Sequence, residues 1–93
     1  MKGEEILPTT VPKVAPTFRF QWEEAQDCFV ILYPEGMINL SPSAGEIMKR
    51  CDGIASVADI LADLAEAFPG ADIEKDVYNF IGHAYDNGWL KSA

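Results

Sequence analysis

The sequence predicts a single α+β domain in which a three-stranded antiparallel meander precedes three helices. Before residue 41, apolar residues alternate with polar ones or form short continuous runs, as they do in strands. After residue 41 they recur at intervals of three and four, as on one face of a helix. The chain has 93 residues, of which 48% are hydrophobic, so it can form one compact core but not two domains with a cleft between them.

Three segments of the first half have the patterns of strands. Residues 17–23 alternate between aromatic and polar side chains, which is typical of a half-buried strand. Residues 28–33 are apolar on both faces, as expected of a central strand. Pro34 fixes φ in a turn and Gly36 tolerates a positive φ, so the chain should reverse there into a short strand over residues 37–40.

Three helical patterns follow, each with a recognisable start. The first helix begins at the N-cap Ser41, which is followed by proline, or one turn later at Ser43. A capping box formed by Ser56 and Asp59 opens the second helix. The third opens at Asp72, and a glycine follows each of the three patterns, as is common at helix ends.

The beginning of the sequence is polar and contains three prolines. Residues 1–16 are therefore predicted to form a flexible Pro-containing tail, and residues 17–93 the single folded domain. No apolar run approaches the roughly 20 residues of a membrane-spanning helix, and the first residues lack the apolar core of a signal peptide. The sequence therefore predicts a cytoplasmic protein.

The charge balance argues against binding to nucleic acid. Fifteen acidic residues against seven basic ones give a net charge of −8, which repels a phosphate backbone. A winged-helix nucleic-acid-binding domain remains the alternative, because three helices with a β-wing also describe that fold. Such a reader needs basic residues on its recognition helix, whereas the third predicted helix has Lys75 among several acids.

Residues that could carry catalysis or bind a metal are sparse. His83, the single histidine, has no nucleophile nearby in the sequence and is predicted to be solvated. Cys28 and Cys51 have no cysteine or histidine partner at the spacing of metal ligands, so both are predicted to be small buried hydrophobic side chains. We expect no enzymatic activity, no cofactor and no metal.

The third predicted strand is the most informative feature. It lies at an edge of the meander and has neither lysine nor proline to protect its unpaired backbone groups, so an extended peptide could pair with it. Tyr78 and Tyr85 widen the apolar stripe of the third helix into an opposite wall, or alternatively complete the core. The predicted peptide-binding residues are Met37, Ile38, Asn39, Leu40, Val77, Tyr78, Ile81 and Tyr85. A monomer is expected, with a dimer through this edge strand as the alternative.

Several runs of residues together resemble one family. They are QWEEAQ at 21–26, LYPEGM at 32–37, SPSAGEI at 41–47 and NGWL at 87–90. With these runs the chain resembles the PqqD family over roughly residues 12–90. Gly45 departs from the family pattern, which usually has alanine there, and costs about 1 kcal/mol in helix propensity.

The resemblance implies a function as well as a winged-helix-like fold. PqqD proteins are peptide-recognition domains, so the implied role is that of a non-catalytic chaperone in the biosynthesis of pyrroloquinoline quinone (PQQ). The chaperone would bind the ribosomal precursor peptide PqqA as an added strand and present it to the radical SAM enzyme PqqE. A recognition domain of another peptide-modifying pathway is the alternative, because the fold is shared more widely than the substrate.

An acidic group in the second half is the candidate docking surface for the enzyme. We expect Asp59, Asp63 and Glu66 to take part, because no core or catalytic role explains them. Three further acids belong to the same group, Asp72, Glu74 and Asp76. The alternative is a surface that only keeps the protein in solution.

Overall fold

The computed structural model describes residues 5–93 and has the predicted order of three strands and three helices, with one additional short strand at each end. In chain order, the elements are β1 (Pro12–Val14), β2 (Arg19–Glu23), β3 (Cys28–Tyr33), β4 (Gly36–Asn39), α1 (Pro42–Lys49), α2 (Val57–Ala67), α3 (Glu74–Asp86) and β5 (Leu90–Ser92). The central sheet is antiparallel with the order β2-β3-β4, and β1 pairs with β5 in a second, two-stranded sheet. The predicted α+β class and meander are confirmed.

Two of the three helices begin at the predicted caps. Ser41 accepts a hydrogen bond from the backbone N–H of Ala44 at 3.2 Å, so the earlier of the two candidate caps starts α1. Ser56 and Asp59 form the complete capping box of α2. Helix α3 begins two residues later than predicted, because Ile73 is its N-cap and makes no side-chain hydrogen bond.

The central sheet buries apolar side chains on both of its faces. Ile31 of β3 joins the main core beneath the helices, where it lies between Phe20 of β2 and Ile38 of β4 in the register. Val30 is also fully buried, and the alternation of a strand turns it toward the other face. β3 is therefore a central strand, as its continuous apolar run predicted.

All three helices contribute to one core on the same side of the sheet. Its buried members are Ile31, Leu40, Ile47, Met48, Cys51, Val57, Ile60, Leu64, Val77, Ile81, Ala84 and Leu90. Burial of this many aliphatic side chains, at about 1.5–3 kcal/mol each, is the main force that holds the helices to the sheet. No helix within residues 5–93 has the length and apolar character needed to cross a membrane.

A glycine allows α1 to approach the sheet closely. Gly45 is buried, and a Cβ atom at this position would lie only 2.7 Å from Cδ2 of Phe29 on β3. The phenyl ring has little room to move, because it stacks on Phe20 at 4.9 Å and meets Trp22 edge-on at 5.0 Å. The departure from the family's alanine therefore has a packing reason.

The prediction of a flexible tail over residues 1–16 needs correction for its second half. Residues 12–14 form β1, in which Val14 pairs with Leu90 of β5. Upstream of β1, the carbonyl oxygens of Pro8 and Thr10 accept hydrogen bonds from the first two N–H groups of α2, at 3.0 and 2.8 Å. Proline disrupts the interior of a helix but is compatible with the first residue of an edge strand, where Pro12 lies fully buried. The folded unit thus begins before residue 17, and residues 1–4 of the predicted tail lie outside the described residues.

Candidate functional site

The outer edge of β4 carries backbone groups that do not pair with another strand in the described part of the chain. Leu40 donates its N–H to the carbonyl oxygen of Phe29 at 2.9 Å, and Ile38 lies opposite Ile31, so the backbone groups of Ile38 and Leu40 face β3. Because these directions alternate along an antiparallel strand, the N–H and C=O of Met37 and Asn39 point away from the sheet. The edge therefore offers two donors and two acceptors.

The side chains of β4 divide between two faces. Ile38 packs against the core and Leu40 belongs to it, so both have structural roles. Met37 and Asn39 point to the opposite face, where Met37 is 40% exposed and Asn39 donates from its side-chain amide to Gln26 Oε1 at 3.0 Å. Leu40 follows the last residue of β4, and of the four residues predicted at positions 37–40, Met37 and Asn39 are the ones accessible to a ligand through both backbone and side chain.

The other edge of the sheet is less suited to pairing. Strand β2 has Arg19 at its first position and Glu23 at its last, and charged side chains hinder the addition of a further strand. Strand β4, which has the sequence GMIN, contains no charged residue. The difference favours β4 as the edge that a peptide joins.

The four residues predicted on α3 differ in how accessible they are. Val77 and Ile81 are core residues with at most 1% of their surface exposed, so in this conformation they offer almost no surface to a peptide beside β4. Tyr78 and Tyr85 are half-buried and pack against the core. The hydroxyl of Tyr85 forms a hydrogen bond with Ser92 Oγ at 3.0 Å, which ties α3 to β5. The stripe identified the face of α3 that packs against the core, but it could not separate the buried centre of that face from its accessible flank.

Two of the three predicted docking acids have structural partners. The carboxylate of Asp59 accepts the N–H of Ser56 in the capping box. Asp63 binds the guanidinium of Arg50, which also donates to a carboxylate oxygen of Glu46 at 2.8 Å. The hydrogen bond with Glu46 is the main cause that raises the pKa of Arg50, and Asp63 adds to it. Glu66 makes no ion pair with any described residue.

An apolar groove that the sequence did not predict opens between the helices. Its volume is about 440 Å³, and it lies between the start of α1, the end of α2 and the start of α3. Its apolar lining includes Ile47, Leu64, Phe68, Ile73 and Val77, and two acids, Glu46 and Asp76, also line it. The sequence contained one indication of this groove, because Phe68 extends the apolar stripe of α2 past the end of the helix. In the structure Phe68 is 44% exposed.

The residues considered for catalysis lie apart from these features. His83 is exposed on α3 and its ring meets Trp89 edge-on at 5.3 Å. Cys51 is buried, and burial raises the pKa of its thiol to about 12, so the thiol is neutral at physiological pH. No group of three or more potential metal ligands comes together within residues 5–93.

Comparisons with known proteins identify relatives over nearly the whole chain. The model of the family described as coenzyme PQQ synthesis protein D (PqqD) matches residues 28–90. The PqqA binding protein of Azotobacter vinelandii is 48% identical over 88 residues, which are 94% of this chain and 96% of that protein. The PqqA binding protein of Methylococcus capsulatus is 42% identical over 86 residues, or 92% of either chain.

A solved structure shows the same fold. It is the solution NMR structure of the PqqD truncation of Methylobacterium extorquens PqqCD, described as a functional, stand-alone recognition element for ribosomally synthesised and post-translationally modified peptides. It matches with a TM-score of 0.76 and 23% identity, and covers 92% of this chain and 94% of that one. The relatives are named for binding a peptide and not for a reaction, which supports the prediction that the protein is not an enzyme.

Proposed function

This chain belongs to the coenzyme PQQ synthesis protein D family, and we propose on that basis that it is a cytoplasmic chaperone that binds PqqA as an added strand along β4. The observation that carries the proposal is the outward direction of the backbone groups of Met37 and Asn39 on an edge free of charged residues. Backbone pairing gives a peptide affinity for such an edge, and alternate side chains give specificity.

The bound peptide is presented to the radical SAM enzyme PqqE. Chemistry on the peptide has to come from such a partner, because the relatives are named for binding alone. The net charge of −8 supports association with a basic surface, since opposite charges steer protein encounter. In this role the protein holds two partners at once and carries out no reaction itself.

Titration of fluorescently labelled PqqA tests the strand addition. We expect micromolar affinity, about −8 kcal/mol, for wild type. Asn39→Pro removes an outward N–H and leaves the bonds of Ile38 and Leu40 to β3 in place, so it should weaken binding at least tenfold. The matched control Asn39→Ala loses the side-chain bond to Gln26 but keeps the N–H, and should change affinity less than threefold.

The circular dichroism of both variants shows whether they are folded. A folded Asn39→Pro variant that binds PqqA as well as wild type would exclude pairing at this edge.

A further inference from the structure

The apolar groove and the tyrosines of α3 lie on different faces of that helix. At about 100° per residue, the groove residue Val77 is about 100° around the helix from Tyr78 and about 80° from Tyr85, and Asp76 is farther round. Neither tyrosine lines the groove. The two surfaces can therefore bind different partners at the same time.

Unpaired negative charge lies along the segment that joins α2 to α3, and one of its carboxylates, Asp76, lines the groove. Four acids lie at the end of α2 and the start of α3, and none forms an ion pair within the described part of the chain: Glu66, Asp72, Glu74 and Asp76. Lys75 is the one basic residue between positions 66 and 76. In contrast to Asp59 and Asp63, these carboxylates have no structural partner among residues 5–93, so their charge is available to a cationic surface.

Apolar surface is exposed at the same place. Phe68, the C-cap of α2, lines the groove with 44% of its surface exposed, and Ile73 at the start of α3 is half-buried beside it. A groove of about 440 Å³ accommodates one large side chain and part of its neighbours. Apolar anchors seated in a pocket with charges at the rim are typical of protein-protein interfaces.

We propose that this groove is the docking surface for the partner protein, and that its occupant is a segment of that partner with a large apolar side chain flanked by lysine or arginine. Charge complementarity with the four acids selects this occupant. The inference rests on the proposed function, because an adaptor has to hold its enzyme and its peptide on separate surfaces. It narrows the docking surface predicted from the sequence, because it keeps Glu66, Asp72, Glu74 and Asp76 and leaves out Asp59 and Asp63.

Binding of PqqE to three single variants tests the proposal. Phe68→Ala removes the exposed aromatic ring, and we expect it to lower PqqE affinity at least tenfold. Glu66→Lys should slow association with PqqE at least threefold at low salt, and a cation at the C-terminal end of α2 does not weaken that helix. The control Glu24→Lys makes the same charge change in the β2–β3 turn, and should alter association less than twofold.

Parallel titrations with labelled PqqA separate this inference from the proposed function. All three variants should bind PqqA within threefold of wild type. If wild type binds no PqqA, the proposed function fails, whereas PqqA binding without any PqqE binding overturns the docking surface alone.

Three further results would also overturn the docking proposal. One is a folded Phe68→Ala variant with unchanged affinity for PqqE. Another is a loss of PqqA affinity in Phe68→Ala, which would assign the groove to the peptide. The third is a wild-type dimer in sedimentation that Phe68→Ala dissociates, which would make the occupant a second copy of this chain.

Discussion

At position 45, helix propensity and core packing favour different residues. A helix favours alanine over glycine by about 1 kcal/mol. At this position, however, a Cβ atom would lie 2.7 Å from a Phe29 ring that two other aromatic rings hold in place. The contact is tighter than van der Waals packing allows, so the ring or the helix would have to shift.

We therefore expect Gly45→Ala to lower the free energy of unfolding by about 1–3 kcal/mol, as overpacking of a core does. Gly82 is the matched control, because it also lies within a helix but has open space where a Cβ would be. Gly82→Ala should stabilise the protein by up to about 1 kcal/mol. Urea denaturation measures both, and equal stabilisation by the two substitutions would contradict the packing explanation.

Cys51 gives the stability a dependence on alkaline pH. Burial raises the pKa of its thiol from 9.0 to about 12, and its Sγ donates to the carbonyl oxygen of Ile47. The unfolded chain loses this proton above about pH 9 while the folded chain keeps it, so stability should fall as the pH rises from 9 toward 12.

The slope due to this thiol is at most about 1.4 kcal/mol per pH unit. Urea denaturation between about pH 8 and 10.5 would measure this slope, because the thiol of the unfolded chain loses its proton within that range while the thiol of the folded chain keeps it. Cys51→Ala should flatten the slope. An identical slope in wild type and Cys51→Ala would assign the alkaline dependence to other groups.

Arg50 connects helices α1 and α2 through its ion pairs. Its side chain is 18% exposed and binds Glu46 within the same helix region and Asp63 on α2. It also donates to the carbonyl oxygen of Glu46 at 2.9 Å, which satisfies one of the free carbonyl groups near the end of α1. The carboxylates of Glu46 and Asp63 thus hold α2 against α1 through Arg50, and they are not free to bind another protein.

Arg50→Met should therefore destabilise the protein by about 1–2 kcal/mol, more than an exposed ion pair contributes, because several hydrogen bonds are lost together. Lys49 is the control: it is 54% exposed and lies 3.9 Å from the same Glu46 carboxylate. Lys49→Met should change the free energy of unfolding by less than about 0.5 kcal/mol. Equal losses in the two variants would mean that net charge, and not the Arg50 geometry, matters.

The elements differ in how far sequence alone predicts them. The bounds of β3 and the starts of α1 and α2 follow from local signals, namely a continuous apolar run and capping side chains. The pairing of β1 with β5 could not be predicted, because each has three residues and the register joins Pro12 to Ser92 across the chain. The groove was missed for a related reason, since its lining comes from three helices whose relative positions no periodicity specifies.

At the scale of the whole molecule, the net charge of −8 should make the two binding events respond differently to salt. Enzyme docking through carboxylates is screened over a Debye length of about 8 Å at physiological ionic strength. Strand addition depends on backbone hydrogen bonds and apolar contacts, whose strength changes little with salt.

We expect the association rate of PqqE to fall at least fivefold between about 0.1 M and 0.5 M NaCl. Over this range the Debye length falls from about 10 Å to about 4 Å. The affinity for PqqA should stay within twofold. Stopped-flow fluorescence measures the rate, and anisotropy of labelled peptide measures the affinity. An association rate that is independent of salt would contradict the proposal that the acidic residues steer PqqE toward the protein.

The alternation of backbone directions along β4 has a consequence for the sequence of the peptide that we propose to pair with it. Successive side chains of the added strand point to opposite faces, so one set lies on the helix side and the other beside Met37 and Asn39. Two anchor residues that share a face must be an even number of positions apart. Inserting one residue between them moves one anchor to the wrong face, and inserting a second restores it. The spacing of residues in the peptide thus specifies recognition as much as their identity does.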